Sequence, residues 1–336
     1  MTDTNPLEIR QLQIEDIPHL IECIQRCYGD SYPIKIMYDK DKLAELIHSN
    51  LMHSVIAKNE VGQIIGHCAL TFEGAHNTSP EAGRMFVDPA YRGHHVSEAL
   101  AKKRLEMAKE LSLIGLWAAC VTNHPYSQDE MITMGGFETG ALLSVSPPDV
   151  VMQGLQNFSD SRRSVITFYL PLEHNTETIY VPSQHADLMI HLSEQIQLNR
   201  VVLDSESLGS GKTELVVDIH ELNHSANIEI LHIGSDVIDA LNKELHKLDP
   251  MDLAAVFLIL PINQSAAAKT CSELEGIGFF WGAWIPNYSD RGDIIRLQKM
   301  NSPINAEEII CARAQGETLK KYVLSEWDRV SQKNEG

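Results

Sequence analysis

The sequence is poor in basic residues. Among its 336 residues, 27 are Lys or Arg and 46 are Asp or Glu, which gives a formal net charge of −19 at pH 7. A nucleic-acid groove requires clustered Lys and Arg, so we expect no nucleic-acid partner. The acidic balance is compatible with a cationic substrate such as an amine.

Long apolar runs are also missing. Apolar residues make up 43% of the chain, but no run reaches the roughly 18 residues of a membrane span, so we expect no membrane partner. The first residues, Met1-Thr2-Asp3-Thr4-Asn5-Pro6, lack a basic segment followed by an apolar one. We therefore expect no secretory signal and a cytoplasmic protein. The length fits two domains rather than one core.

Signals for a metal site are weak. None of the six cysteines forms a Cys-x-x-Cys pair, and Cys68 and Cys120 lie in apolar, strand-like runs. Reduced, mostly buried thiols are the expectation. Cys23 and Cys27 stand four residues apart on a predicted helix without a His partner. We therefore expect no bound metal.

Hydrophobic periodicity predicts an α/β (α+β) first half in the order β-α-α-β-β-β-α-β-α-β-β, a mixed sheet with helices on both faces. Strands are predicted over 7–12, 53–57, 63–72, 83–87, 113–121, 137–145 and 164–172, and helices over 15–28, 39–48, 94–111 and 126–134. Residues 174–178 are predicted to be a polar link, so the predicted domains are 1–172 and 178–336.

The second half repeats this order. Helices are predicted over 182–198, 235–248 and 265–274, strands over 213–220, 228–233, 253–260, 279–285 and 293–300, and a helical end over 306–330. Near the end of each half stands a glycine turn before a strand, as in Gly136-Phe137-Glu138-Thr139-Gly140-Ala141 and Gly278-Phe279-Phe280-Trp281-Gly282-Ala283. A weak internal duplication explains this best. Two unrelated α/β domains with common turn chemistry are the alternative.

One stretch organises the first half. A strand ends in Val87-Asp88-Pro89-Ala90-Tyr91-Arg92-Gly93, and a predicted helix with small and polar residues in its first turn follows. Free backbone N–H groups at such a helix start, together with the helix dipole, bind anions. The sequence therefore predicts an anion site at this turn.

These residues, followed by a strand and by Met134-Gly135-Gly136-Phe137, resemble the GNAT family of acyl-CoA-dependent N-acetyltransferases. The resemblance spans 1 to about 172 and is specific over 84–140. It implies that acetyl-CoA, or another acyl-CoA, is the co-substrate and that a primary amine attacks the thioester directly. The acceptor is a small amine or a protein amine. The second half resembles the family by topology but not by motif, as in a tandem GNAT with a degenerate second domain.

The resemblance also assigns the coenzyme site. The pyrophosphate loop maps to Arg92, Gly93, His94, His95, Val96 and Ser97. The family has glycines where this chain has His95 and Ser97. We expect His95 to permit close approach only if its φ is negative and its ring points away. A backbone N–H near Phe86 and Val87 is the implied oxyanion donor. Asn123, with His124, is implied to contact the coenzyme arm; a plain Asn-His-Pro turn is the alternative.

For catalysis, Glu81 is the implied general base, with Glu73 as the second choice. Either is alternatively a solvated loop acid. The family's proton-donating tyrosine maps to Ile132, so Tyr126, earlier on the same predicted helix, is the nearest replacement; packing beside Pro125 is the alternative. The lost glycines and the missing tyrosine favour a second hypothesis, a non-catalytic acyl-CoA-binding regulatory module.

The second half carries two further signals. Gly209-Ser210-Gly211-Lys212-Thr213 resembles the end of a P-loop, but Glu206 stands where the first glycine is needed, so a turn between strands is favoured. The turn equivalent to the pyrophosphate loop, His232-Ile233-Gly234-Ser235, lacks the motif. We predict that this half binds no coenzyme A and instead shapes the substrate cleft or a homodimer surface.

Overall fold

The computed structural model describes residues 7–74, 76–148, 152–154 and 161–335. The strands are β1 Glu8–Gln11, β2 Met52–Lys58, β3 Ile64–Thr71, β4 Glu81–Val87, β5 Gly115–Val121, β6 Phe137–Ser146, β7 Arg163–Pro171, β8 Thr176–Tyr180, β9 Asn199–Leu203, β10 Glu214–His220, β11 Ser225–His232, β12 Ala255–Pro261, β13 Phe280–Ser289 and β14 Gly292–Met300. The helices are α1 Ile17–Tyr28, α2 Lys40–His48, α3 Val96–Glu110, α4 Tyr126–Thr133, α5 Ser183–Ile196, α6 Val237–Leu248, α7 Ala267–Leu274 and α8 Ala314–Glu335.

The predicted α/β class and the element order of the first half are confirmed. Two short strands of the second half, β8 and β9, were not predicted. The polar link expected over 174–178 is wrong from residue 176 onward, where β8 begins. These strands pair in parallel with each other, Thr176 opposite Asn199. Their stability depends on this pairing across α5, which local sequence does not report. The predicted start of the second domain, residue 178, lies inside β8.

Twelve of the described strands form one mixed sheet in the order β1-β2-β3-β4-β5-β7-β6-β13-β14-β12-β11-β10. The first half supplies the first seven strands and the second half the other five. Within this sheet two neighbouring pairs are parallel, β4–β5 and β11–β12, and they occupy corresponding places in the two halves. The two domains therefore share one sheet rather than forming separate ones.

The halves join through the repeated glycine–alanine pairs. Gly140 in β6 pairs with Ala283 in β13. A Cβ on Gly140 would overlap the carbonyl oxygen of Gly282 and the Cα of Ala283, so only glycine fits here. The Gln298 side chain completes the junction by donating to the Ala141 carbonyl (3.1 Å) and accepting from the Leu143 N–H (2.8 Å). The two glycine–alanine pairs thus mark the contact between the halves.

Buried apolar stripes attach the helices to the sheet. In α1, Ile17, Leu20 and Ile24 are fully buried beneath the first four strands, and Val96 and Leu100 of α3 belong to a separate, larger core cluster. The final helix, α8, returns to the first half, where Arg313 at its start pairs with the buried Glu138 at 2.6 Å. No helix in the described ranges is long and apolar enough to cross a membrane.

Candidate active site

The parallel strands β4 and β5 separate from each other. Over the described residues they share one register pair, Glu81 opposite Trp117, and the Trp117 N–H donates to the Pro80 carbonyl at 3.2 Å. Parallel neighbours normally exchange evenly spaced hydrogen bonds along their length. Beyond this contact the strands diverge toward their carboxyl ends. We call this gap, between Glu81–Val87 and Gly115–Val121, the wedge; its unpaired backbone edges can bind an extended ligand arm.

A β-bulge bends β4 along the wedge. In β3, His67 and Ala69 pair with Phe86 and Gly83, so one residue of β3 faces two of β4, and Arg84 has a φ of +53°. The His67 ring holds this bulge, because Nδ1 donates to the Arg84 carbonyl at 3.0 Å and Nε2 accepts from Ser54 Oγ at 3.0 Å. Burial lowers the pKa of His67 to about 3, which keeps the ring neutral as this pairing requires.

The turn after β4 aims the start of α3 at the open end of the wedge. Buried Asp88 fixes the turn by accepting the Ala90 N–H at 3.1 Å and the Arg26 Nε at 2.5 Å. Helix α3 begins at Val96 without a side-chain cap. The N–H groups of its first turn have no intrahelical acceptor, so the predicted loop presents donors and a positive dipole end.

The first condition set for close approach at His95, a negative φ, is not met. His95 has a φ of +58° and a ψ of 20°, the left-handed conformation that glycine adopts readily. The turn that leaves Gly93, which has a φ of +79°, requires this conformation at the helix cap. The histidine ring does point away: it is largely exposed, and its Nδ1 lies 3.0 Å from Glu98 Oε2. The backbone therefore keeps the glycine-like path at a cost in strain.

The open end of the wedge holds buried polar atoms without partners in the described part of the chain: Arg92 Nη2, Asn123 Oδ1 and His124 Nδ1. Arg92 otherwise donates to the Gln153 carbonyl and, at 3.3 Å, to the Val87 carbonyl. Burial lowers the pKa of His124, and the nearby positive charges of Arg163 and Arg92 lower it further. The open end is therefore cationic and retains unused hydrogen-bonding capacity, which suits an anionic ligand.

The two predicted catalytic residues lie at opposite ends of the wedge. Glu81 is at the closed end, beside Trp117, with its side chain 25% exposed and 3.4 Å from Arg84 Nη1. Tyr126 follows β5, is 63% exposed and stacks near His124 with ring centroids 5.0 Å apart. Four residues of β5 alone separate the two ends by roughly 13 Å. The structure therefore does not bring Glu81 and Tyr126 together.

The remaining predicted site residues differ in how far their side chains are exposed. Gly93, His94 and Ser97 are exposed at the start of α3, whereas Val96 is buried and anchors that turn. The Phe86 side chain is buried against Tyr28 and Tyr32, so only its backbone can serve a ligand. Ile132, at the position of the family's tyrosine, packs against the core.

Sequence reasoning missed residues of the second half that reach the candidate bases. Arg296 Nη2 lies 3.0 Å from Glu73 Oε2, and the Tyr288 hydroxyl donates to the same carboxylate. The Arg296 guanidinium also lies over the Trp117 ring, 4.6 Å from its centre. Nothing in the sequence around Arg296 indicates this role, because the shared sheet brings it to the site.

The corresponding site of the second half is closed. Strands β11 and β12 pair over five registers, from Ser225–Ala255 to Glu229–Ile259. Before α6, the N–H of Ile233 donates to Gln264 Oε1 (3.0 Å), that of Gly234 to Thr213 Oγ1 (3.2 Å) and that of Ser235 to the Gly211 carbonyl (3.1 Å). The P-loop-like residues 209–213 thus cover this helix start, and Gly209 allows close contact with Gly234.

Among the residues described, metal-type ligands gather at one place in the second half. Ligand atoms of His185, Glu275 and Glu326 lie within 4.8 Å of one another. Arg329 lies between the two carboxylates, 2.6 Å from each. A guanidinium in this position neutralises the charge that would attract a cation. The group is therefore an ion-pair network that joins α5, the turn after α7 and α8.

Comparison with a known protein family also separates the two halves of the chain. Residues 17–129 match the model of the acetyltransferase (GNAT) family, which confirms the predicted family resemblance of the first half. A search of curated proteins found no match.

Solved structures resemble about half of the chain. An N-acetyltransferase from Staphylococcus aureus Mu50 is 14% identical, with 50% of this chain and 100% of that chain covered and a TM-score of 0.41. The ribosomal-protein-S18-alanine N-acetyltransferase from Escherichia coli is 14% identical (50% and 95% covered, TM-score 0.40). The spermidine/spermine N-acetyltransferase SpeG from Vibrio cholerae is 16% identical (49% and 95% covered, TM-score 0.39).

Proposed function

We propose that this chain, whose residues 17–129 match the GNAT acetyltransferase family, transfers an acetyl or other acyl group from acyl-CoA to a primary amine. One observation carries the proposal: the wedge between β4 and β5 opens onto the uncapped start of α3. A narrow slot for an extended arm and an anion site at its open end match the shape and charge of coenzyme A.

In this proposal the pyrophosphate binds the N–H groups of the loop from Arg92 to Ser97. The pantetheine arm runs along the wedge past Asn123, whose Oδ1 is buried and unpartnered within the described chain. The thioester then points toward the closed end, where Glu81 stands. The bulged backbone near Phe86 and Val87 supplies the N–H for the developing oxyanion.

The reaction needs two proton transfers. The acceptor ammonium first loses a proton to Glu81, directly or through water, and the free amine nitrogen attacks the thioester carbonyl carbon. The C–S bond then breaks, and the sulfur leaves with the electron pair and takes up a proton. The attacking nitrogen releases that proton as the amide forms, because Tyr126, at the other end of the wedge, lies too far from a thioester beside Glu81 to donate it directly.

The direct test combines coenzyme binding with turnover. Calorimetry should find one acetyl-CoA site per chain, and thiol release from acetyl-CoA should depend on an added amine. Glu81→Gln should lower kcat on the order of a hundredfold or more while leaving the dissociation constant of acetyl-CoA unchanged. Exposed Glu60, on the β2–β3 turn, supplies the matched control E60Q.

The competing function, a non-catalytic acyl-CoA-binding module, predicts a different result. It is supported if acetyl-CoA binds but no amine from a broad panel releases thiol. Absence of acetyl-CoA binding would contradict both functions. Tyr126→Phe tests this placement: a change confined to coenzyme affinity supports a contact with the arm, whereas a loss in kcat supports proton donation and contradicts a thioester at the closed end.

A further inference from the structure

The two halves build a polar cluster together beside Glu81. The first half contributes Glu73, Glu81 and Arg84, and the second contributes Glu229, Tyr288 and Arg296; we call these six residues the shared polar cluster. Trp117 forms one wall, since it pairs with Glu81 and carries the Arg296 guanidinium over its ring. The loop between β3 and β4 holds the halves together here, with Thr78 Oγ1 donating to the Asn287 carbonyl at 2.7 Å.

Three donors of this region have no acceptor within the described chain. They are Arg84 Nε, Arg296 Nε and Trp117 Nε1, all fully buried at the atom. Arg296 is 6% exposed and Trp117 is 3% exposed, so solvent does not reach most of either side chain. Buried N–H groups in folded proteins nearly always have a partner, so three unpaired donors in one region leave hydrogen-bonding capacity unused.

The same region contains a carboxylate without a direct partner. No hydrogen bond or ion pair joins the side chain of Glu229 to any residue the structure describes. Glu229 lies half-buried on β11, close enough to Glu73 for their charges to repel each other. Burial, and to a smaller extent this repulsion, raises the pKa of Glu229. A cation between these carboxylates would relieve both the burial cost and the repulsion.

The cluster therefore needs anionic oxygens on its arginine side and a cation on its carboxylate side. A diamine supplies only the cation and would leave the N–H groups unpaired. A simple carboxylic acid supplies only the oxygens and would add negative charge to a region that already holds Glu73 and Glu229. A small molecule with both groups satisfies the two sets at once.

Resting on the function proposed above, we infer that the shared polar cluster is the acceptor site and that the acceptor is a free amino acid or a closely similar zwitterion. Its carboxylate binds Arg84, Arg296 and Trp117, and its ammonium group faces the glutamates, where Glu81 can take the proton. The second half thus supplies recognition of the acceptor through Arg296 and Glu229, whereas the first half binds the coenzyme and performs the chemistry.

The experiment compares molecules that differ by one group. The standard amino acids are tested as acceptors with acetyl-CoA, and the best one is then compared with its decarboxylated amine and with its amide. The amino acid should exceed both in kcat/KM by about tenfold or more, because neither analogue offers the anionic oxygens. Equal or better turnover of the amine overturns the inference. Equal turnover of the amide does so too, and instead indicates recognition of a peptide N-terminus.

Two variants locate the recognition. Arg296→Gln should reduce kcat/KM for the amino acid about tenfold while changing that for the decarboxylated amine less than about threefold. Arg296→Lys should restore part of the preference. Glu229→Gln, which leaves the Arg296–Glu73 pair intact, should raise KM for the amino acid without lowering kcat. Lys247→Gln is the control, because Lys247 pairs only with Glu244 on the surface of α6.

Failure of the inference and failure of the proposed function remain distinguishable. Calorimetry of each variant with acetyl-CoA shows whether the coenzyme site is intact. Calorimetry with the amino acid alone reports the shared polar cluster without any turnover. Acetyl-CoA binding together with undetectable binding of every amino acid overturns the inference but leaves acyl transfer to other amines standing.

Discussion

The two parallel strand pairs of the twelve-stranded sheet occupy equivalent places but differ in their pairing. Strands β4 and β5 meet at Glu81 and Trp117 and then diverge, whereas β11 and β12 stay paired over five registers. Backbone groups that pair with each other cannot bind a ligand. One topology therefore gives an open wedge in the first half and a continuous sheet in the second.

The helices that connect the two strands of each pair, α3 and α6, differ in the same way. The start of α3 has no side-chain cap, and the loop before it is exposed. The start of α6 is covered by residues 209–213, which use the N–H groups that an anion would need. Loss of the motif in the second half thus coincides with pairing of these N–H groups inside the chain, to two side-chain oxygens and one carbonyl.

The largest expected effect comes from breaking the junction between the halves. Gly140→Ala places a Cβ against the backbone of Gly282 and Ala283, so we expect the free energy of unfolding to fall by roughly 4 kcal/mol or more. Urea titration measures this free energy of unfolding. Gly276→Ala is the control, since a Cβ there meets nothing within 4 Å. Similar stability of both variants would show that the sheet does not depend on this approach.

Acid should destabilise both halves through one buried histidine each. Burial lowers the pKa of His67 to about 3 and that of His185 to about 4, from 6.5. Only the unfolded chain gains these protons as the pH falls below 6.5, so stability decreases toward pH 4.5 by up to about 1.4 kcal/mol per pH unit for each ring.

Denaturant titrations across this pH range test that expectation. The variants H67Q and H185Q should each remove about half of the decrease that the two rings cause. A variant with the slope of the unsubstituted protein would show that its histidine titrates normally in the fold.

Coenzyme binding should separate the two helix starts. Ser97→Asp puts a negative charge on the N-terminal turn of α3 and should weaken acetyl-CoA binding about tenfold or more. Ser235→Asp, at the corresponding turn before α6, should leave that affinity unchanged. Calorimetry measures the acetyl-CoA affinity of both variants. A second acetyl-CoA site, or an equal loss of affinity in both variants, would refute the assignment of the coenzyme to the first half.

The smallest effect concerns the left-handed histidines. His95 and His224 have φ values of +58° and +48°. Glycine relieves this strain, so H95G and H224G should each raise the free energy of unfolding by about 1 kcal/mol. Only H95G should also tighten acetyl-CoA binding, because only that residue lies in the coenzyme loop. Tighter binding in H224G as well would point to a global effect.

Local sequence signals predicted most of the fold and part of the site. Period-two and helical patterns predicted every strand and helix of the first half, because each element buries one face against the core. The short strands β8 and β9 were missed because their partners lie across α5. Glu73 was recognised as a candidate, but its partners Arg296 and Tyr288 were not.

By itself, the sequence determined the element order of the first half, the turn at Asp88-Pro89 and the loop from Arg92 to Ser97, because spacing and turn chemistry act over a few residues. Only the tertiary structure decided that the halves share one sheet, that one wedge is open and the other closed, and that Arg296 reaches Glu73. These features depend on hydrogen bonds and charges between residues far apart in the chain, and no local pattern of side chains encodes such contacts.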